Sequence, residues 1–220
     1  MAKRQESDRI VHIPVNGVKL EGSLVIPQQA CGVVLFVHGS GSSRHSPRNK
    51  FVAQVLQSAG LGTLLMDLLT QAEDSVYETR FDIALLTTRV ERATRWLMEQ
   101  PRCDSLDMGY FGASTGAAAA LNAAAAFGTS IGAVVSRGGR PDLAMSALPE
   151  VESPTLLIVG GLDDVVIELN RRAYERLKGK KHLAIVPGAT HLFEEPGTLQ
   201  KAADLASKWF TQHLGRTKFA

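Results

Sequence analysis

Cysteine is nearly absent from this chain. Cys31 and Cys103 are the only two among 220 residues, and neither belongs to a Cys-x-x-Cys pair. Two cysteines cannot build a disulfide framework, so the expected setting is reduced and cytoplasmic. Charge of one sign is lacking too. Twenty-four Lys and Arg against 22 Asp and Glu leave a net charge of +2, which gives no footprint for nucleic acid. Long hydrophobic runs are missing: the longest, residues 117–127, is too short to span a bilayer and carries Asn122. The opening "MAKRQESDRI" has no apolar signal-peptide core. No histidine pair has metal-ligand spacing, and no phosphate-binding glycine loop of the P-loop or dinucleotide type occurs. The chain therefore calls for no metal and no cofactor. No repeat or low-complexity linker divides it, and one domain over residues 1–220 is expected.

What is present is a hydrophobic content of 45% with 21% charged residues, ordinary for a globular fold with one good core. "RIVHIPV" and "VKLEGSLVIP" flank Asn16-Gly17, the strongest short hairpin signal. "GVVLFVHG" (residues 32–39) reads as a strand buried on both faces. Residues 50–60 have helical spacing and end at a glycine C-cap. "GTLLMD" (62–67) is a strand, and residues 68–80 read as a surface loop. Thr79 with Asp82 predicts a capping box ahead of a helix with Ile83, Leu86, Val90, Ala93 and Leu97 on one stripe. "LDMGYFG" is a strand, followed by an alanine-rich helix. Strands follow at 131–136, 155–160 and 182–187, with helices at 164–178 and 196–214. An antiparallel opening followed by strand-helix alternation predicts an α/β fold: a doubly wound, mostly parallel sheet with an antiparallel N-terminal hairpin. In such sheets ligands bind beyond the carboxyl ends of the strands.

Those strand ends carry a constellation. Gly112-x-Ser114-x-Gly116 lies between a strand and a helix, which is the context of a nucleophile elbow. A serine hydroxyl needs a base, and the base needs an orienting carboxylate. The elbow architecture orders them Ser, then Asp or Glu, then His. "LLIVGGLDDVV" puts Asp163 and Asp164 just past a strand, and "VPGATHLFEEPG" puts His191 in the loop after the last strand. Asp163 is favoured as the acid, and Asp164 is placed to cap the next helix. His12 and His182 fall within strands and His213 within the last helix, which leaves them poorly placed as the base.

From "LFVHGSG" through "GYFGASTG" and "LLIVGGLDDVV" to "PGATHLFEEPG", the chain resembles the α/β-hydrolase superfamily, and within it the dienelactone-hydrolase-like group. The resemblance implies Ser114 as nucleophile, His191 as base and then acid, and Asp163 as the orienting carboxylate. It implies oxyanion donors at the backbone N–H of Thr115 and of Ser40, with Gly41 competing for the second place. No long insertion follows the strand at 131–136, so a site without a large lid is expected. The group's namesake enzymes carry cysteine at the elbow; serine at position 114 points to a general ester, lactone or thioester. The chain is also similar to a hydrolase domain found fused to a phosphoribosyltransferase. An acyltransferase on the same site, or a non-catalytic binding module, are the rival readings. The partner expected is a small-molecule ester, with no nucleic acid and no membrane, and with monomer or homodimer left open. Two strand-end loops are locally basic: Arg44, His45, Arg48 and Lys50 in one, Arg137 and Arg140 in the other. From these, Arg137 first, then Arg44 and His45, are candidate contacts to a carboxylate or phosphate on the substrate.

Overall fold

The computed structural model describes residues 9–215. Strands β1 (Arg9–Val15) and β2 (Val18–Val25) form the expected hairpin. Its turn is built by Asn16 and Gly17, both at positive φ (45° and 83°). That is the primed-turn conformation whose twist matches paired strands. β1 alternates between buried and exposed positions, as a half-covered strand should. By contrast, β3 (Gly32–Val37), β4 (Leu61–Met66) and β7 (Thr155–Gly160) are buried at every position. These are the continuous apolar runs, and helices cover both of their faces.

The eight strands lie in the order β1-β2-β4-β3-β5-β6-β7-β8. The β1–β2 and β2–β4 pairs are antiparallel. From β4 to β8 every pair is parallel, through β5 (Asp107–Ala113), β6 (Ile131–Arg137) and β8 (Lys181–Val186). The predicted doubly wound sheet with an antiparallel opening is therefore the observed one. One core layer sits under α3 (Ile83–Met98), α4 (Thr115–Phe127) and α5 (Asp164–Arg176). The other sits under α1 (Pro47–Ser58) and α6 (Thr198–His213). Alanines make α4 thin: Ala118, Ala119, Ala120, Ala123 and Ala124 are wholly buried, which brings the helix axis close to the sheet.

Three local expectations are corrected. Residues 68–80 contain a single helical turn, α2 (Gln71–Asp74), and a 3₁₀ turn at Glu78–Phe81. The capping box is not Thr79 with Asp82. Thr70 and Glu73 form one ahead of α2, with Glu73 N–H donating to Thr70 Oγ1 and Thr70 N–H to Glu73 Oε2. Asp82 is instead the N-cap of α3 and accepts from Leu85 N–H at 2.9 Å. Asp164 is not a cap either: it is the first residue of α5, and the cap position belongs to Asp163. Between β6 and β7 there are only short 3₁₀ turns, at Pro141–Ala144 and Leu148–Glu150, so no large lid stands there. Among the described residues no helix is long and apolar enough to cross a membrane.

Candidate active site

Ser114 occupies the turn between β5 and α4 at φ 49° and ψ −127°. That backbone is sterically strained for a residue with a side chain, at a cost of about 1–3 kcal/mol. The surroundings leave little alternative. A Cβ on Gly112 would lie 2.5 Å from Ala117 Cα, and one on Gly116 would lie 2.3 Å from Val37 O and 2.4 Å from His38 O. Glycine at both places lets the strand, the turn and the end of β3 pack backbone to backbone. Ser114 is pinned between them. Its carbonyl accepts from Ala117 N–H at 3.1 Å and Arg140 N–H at 3.0 Å.

Asp163 and His191 come from the loops after β7 and β8. The two loops are tied by Gly161 N–H to Val186 O at 2.8 Å and by Leu162 N–H to Ala189 O at 2.9 Å. That juxtaposition brings Asp163 Oδ2 to 2.7 Å from His191 Nδ1. Asp163 makes no capping bond to α5, so its carboxylate serves the imidazole. Thr190 braces the histidine loop: its N–H and hydroxyl both donate to Glu195, at 3.1 and 2.6 Å. Ser114 and His191 line one cleft of about 260 Å³, together with Ser40, Ser42, Ser46, Arg48, Asn49 and Arg137.

His38 is buried and structural. Its Nδ1 pairs with Gly39 O at 2.9 Å, and its Nε2 accepts from Leu68 N–H at 3.0 Å. The neutral ring is the form that satisfies both contacts, and burial pushes its pKa down. It staples the loop after β3 to the loop after β4. The next residue but one departs from expectation. Ser40 N–H donates to Thr115 Oγ1 at 3.0 Å rather than standing free at the cleft. Gly41, its competitor, does not line this cleft but borders a neighbouring hollow with Arg80. Thr115 opens α4, where the backbone N–H has no intrahelical acceptor.

The basic residues divide sharply. Arg44 does not line the Ser114 cleft. Its guanidinium pairs with Glu21 and, at 3.1 Å, with Asp67, while its N–H donates to Asp67 Oδ1 at 2.8 Å. Arg44 thus bolts its loop to the β2–β4 edge, and it holds the Glu21 carboxyl below the usual carboxylate range. His45 Nε2 accepts from Arg44 Nη1 at 2.7 Å, and His45 faces a neighbouring hollow. Lys50 lies in a separate groove beside β2 and β4. Arg140 is locked onto Asp142 by two 2.8 Å bonds. Only Arg48 and Arg137 face the cleft.

Arg137 is 7% exposed, and its Nε and Nη1 are buried without a hydrogen-bond partner. Its guanidinium carbon sits 5.9 Å from the ring centres of both Phe111 and Phe193. Burial, with Arg48 nearby, pulls its pKa down to about 10, so it stays charged at neutral pH. Sequence reasoning missed the two phenyl rings, Asn49 and the Thr190–Glu195 brace. Glu195 four residues after His191 was the one local signal for the brace. Among the described residues no group of three or more His, Cys, Asp or Glu side chains could hold a metal ion.

Comparison with known proteins agrees with this architecture. Two proteins from strains of Mycobacterium tuberculosis, each named "Putative phosphoribosyl transferase", are 56% identical over 207 residues, covering 94% of this chain but 47% of their own length. The chain thus spans about half the length of these curated relatives. The crystal structure of a dienelactone hydrolase from Anabaena variabilis is 57% identical, with a TM-score of 0.93, and covers 94% of this chain and 98% of its own. Est1E from Butyrivibrio proteoclasticus shares the fold with a TM-score of 0.80 at 16% identity, over 93% of this chain and 98% of its own. The model of the dienelactone hydrolase family matches residues 20–217. With its eight-stranded α/β-hydrolase sheet and this match over nearly its whole length, the chain belongs to the dienelactone hydrolase family.

Proposed function

We propose that the protein is a serine hydrolase that cleaves a carboxylic ester, lactone or thioester of a small molecule through an acyl-enzyme. Its main support is the 2.7 Å pairing of Asp163 with His191 at the mouth of the cleft that also holds Ser114 on its strained turn. With Nδ1–H donated to Asp163, the imidazole presents an unprotonated Nε2 as base. Ser114 Oγ attacks the carbonyl carbon and its proton passes to His191. Asp163 stabilises the imidazolium that results. The carbonyl π pair moves onto oxygen, and Thr115 N–H at the start of α4 receives the charge. Ser40 N–H, which donates to Thr115 Oγ1 in the structure, is the second donor once the Thr115 hydroxyl rotates aside. His191 returns the proton to the leaving alcohol or thiol. Water then attacks the acyl-serine by the same route in reverse roles, releasing the acid and restoring Ser114.

The transferase name of the mycobacterial relatives is not carried over, because those chains are about twice as long as the part matched here. A panel of esters, lactones and thioesters assayed on wild type and Ser114→Ala tests the proposal. Turnover of at least one class that vanishes in Ser114→Ala is expected. Equal turnover by both proteins would remove the serine from the mechanism.

A further inference from the structure

A guanidinium buried without a partner is rare, because desolvating a charge is costly unless something pairs with it. Arg137 is such a case: its Nε and Nη1 have no acceptor, and its guanidinium carbon lies 5.9 Å from the ring centres of both Phe111 and Phe193. Aromatic faces hold a cation in position without neutralising it. The neighbouring Arg140 shows what a satisfied arginine looks like here, clasped by Asp142. No carboxylate lines the cleft that Arg137 borders.

Other features converge on the same space. Arg48 lines the cleft, and among the described residues its ion pair is with Glu194, a side chain 63% exposed at the rim. An ion pair so open to water is weak and easily exchanged. The twelve-residue helix α1 begins beside it, and its amino end carries partial positive charge. Asn49 in its first turn is buried, with an unpartnered Oδ1, and the Ser42 and Ser46 hydroxyls border the same cleft. Two arginines, Ser42 and the start of α1, where Ser46 Oγ caps Asn49 N–H at 3.4 Å, line one small volume with no carboxylate among its lining residues.

We propose that Arg137, Arg48 and the amino end of α1 form a subsite for a phosphate monoester group carried by the substrate. The inference rests on the reading of the Ser114 cleft as the hydrolytic site, since it places the phosphate on the molecule whose acyl bond is cut. A carboxylate would neutralise only one of the two guanidiniums. A phosphate monoester near neutral pH carries between one and two charges and three terminal oxygens, enough for both arginines and a serine hydroxyl. The aromatic clamp fixes Arg137 in advance, so little ordering remains to be done on binding.

Calorimetric titration with phenyl phosphate and with benzoate, two aryl anions of different charge, tests this without requiring turnover. Phenyl phosphate should bind wild type and Ser114→Ala alike. It should bind Arg137→Gln and Arg48→Gln about tenfold or more weakly, the loss expected from one charge-assisted contact. Benzoate should bind wild type at least about tenfold more weakly than phenyl phosphate. Thermal unfolding verifies that Arg137→Gln is folded; if it is not, Arg48→Gln at the rim decides alone. No phenyl phosphate binding to wild type, unchanged affinity in the folded variants, or benzoate binding as tightly, overturns the proposal. Phenyl phosphate binding that survives while no ester depends on Ser114 would instead count against the hydrolase reading. Ser114-dependent turnover without phosphate binding would count against the subsite alone.

Discussion

Replacing Asp163 by Asn should nearly abolish turnover without unfolding the protein. In the structure Asp163 Oδ2 accepts from His191 Nδ1 at 2.7 Å, and the carboxylate side chain is only 16% exposed. When Ser114 gives up its proton the ring becomes positive. Two unit charges at that separation attract by about 6 kcal/mol at an effective dielectric of about 20. Asparagine removes the charge. Its amide can also donate to Nδ1, which shifts the ring proton to Nε2 and leaves no base facing Ser114. The same change in a Ser-His-Asp triad lowers turnover by about 10⁴-fold, equivalent to about 5.5 kcal/mol of barrier, in line with the Coulomb figure. Asp164→Asn is the matched control. Asp164 is exposed and makes no capping bond, so the change should leave turnover intact and cost only a few tenths of a kcal/mol through the helix dipole. Steady-state hydrolysis of p-nitrophenyl acetate, with far-UV circular dichroism and urea melts, measures both. Asp163→Asn within tenfold of wild type, or Asp164→Asn as the worse variant, would refute the reasoning.

Gly116→Ala should destabilise the fold by about 1–3 kcal/mol or more, because its Cβ meets two backbone oxygens that no side-chain rotation can move. It should also cut turnover by about 100-fold by shifting the loop of His38 and Ser40, and urea melts with the ester assay check both effects. His38 supplies a pH dependence. Its folded pKa is depressed by burial, so the unfolded chain takes up the proton first as pH falls. The stability is fully present above about pH 6.5 and should fall below it by up to about 1.4 kcal/mol per pH unit until the folded pKa is reached. Urea melts at pH 7 and pH 5 should show this extra loss in wild type, and a smaller one in His38→Gln.

The succession of strands, the tight turn at Ser114 and the pairing of Asp163 with His191 were legible in the sequence because their signals are local. Glycines flank Ser114 because only they fit between β3, β5 and α4. Asp163 stands just past the buried apolar run of β7, and His191 lies in the loop after β8, where only the last strand residue, Val186, is buried. The helix caps were misread where several acceptors crowd one loop: Thr70 with Glu73 had the same spacing as Thr79 with Asp82, and tertiary packing chose the former. The basic residues were legible as a group but not as individuals. Arg44 finds its acids on β2 and after β4, each 23 residues away. Arg137 lies beside Phe193, which comes from a loop beyond two further strands. Such pairings depend on which chain segments meet above the sheet, and no local pattern encodes that. The engagement of Ser40 N–H by the Thr115 hydroxyl, 75 residues apart, was equally hidden.

The central claim is that Ser114 is the nucleophile. A fluorophosphonate reagent followed by intact-protein mass spectrometry and peptide mapping tests it most directly. One adduct per chain is expected, on Ser114, with ester turnover lost in step with labelling. Ser114→Ala should neither label nor turn over while retaining the wild-type circular dichroism. Labelling at another residue, or a folded Ser114→Ala that still hydrolyses ester at the wild-type rate, would contradict it.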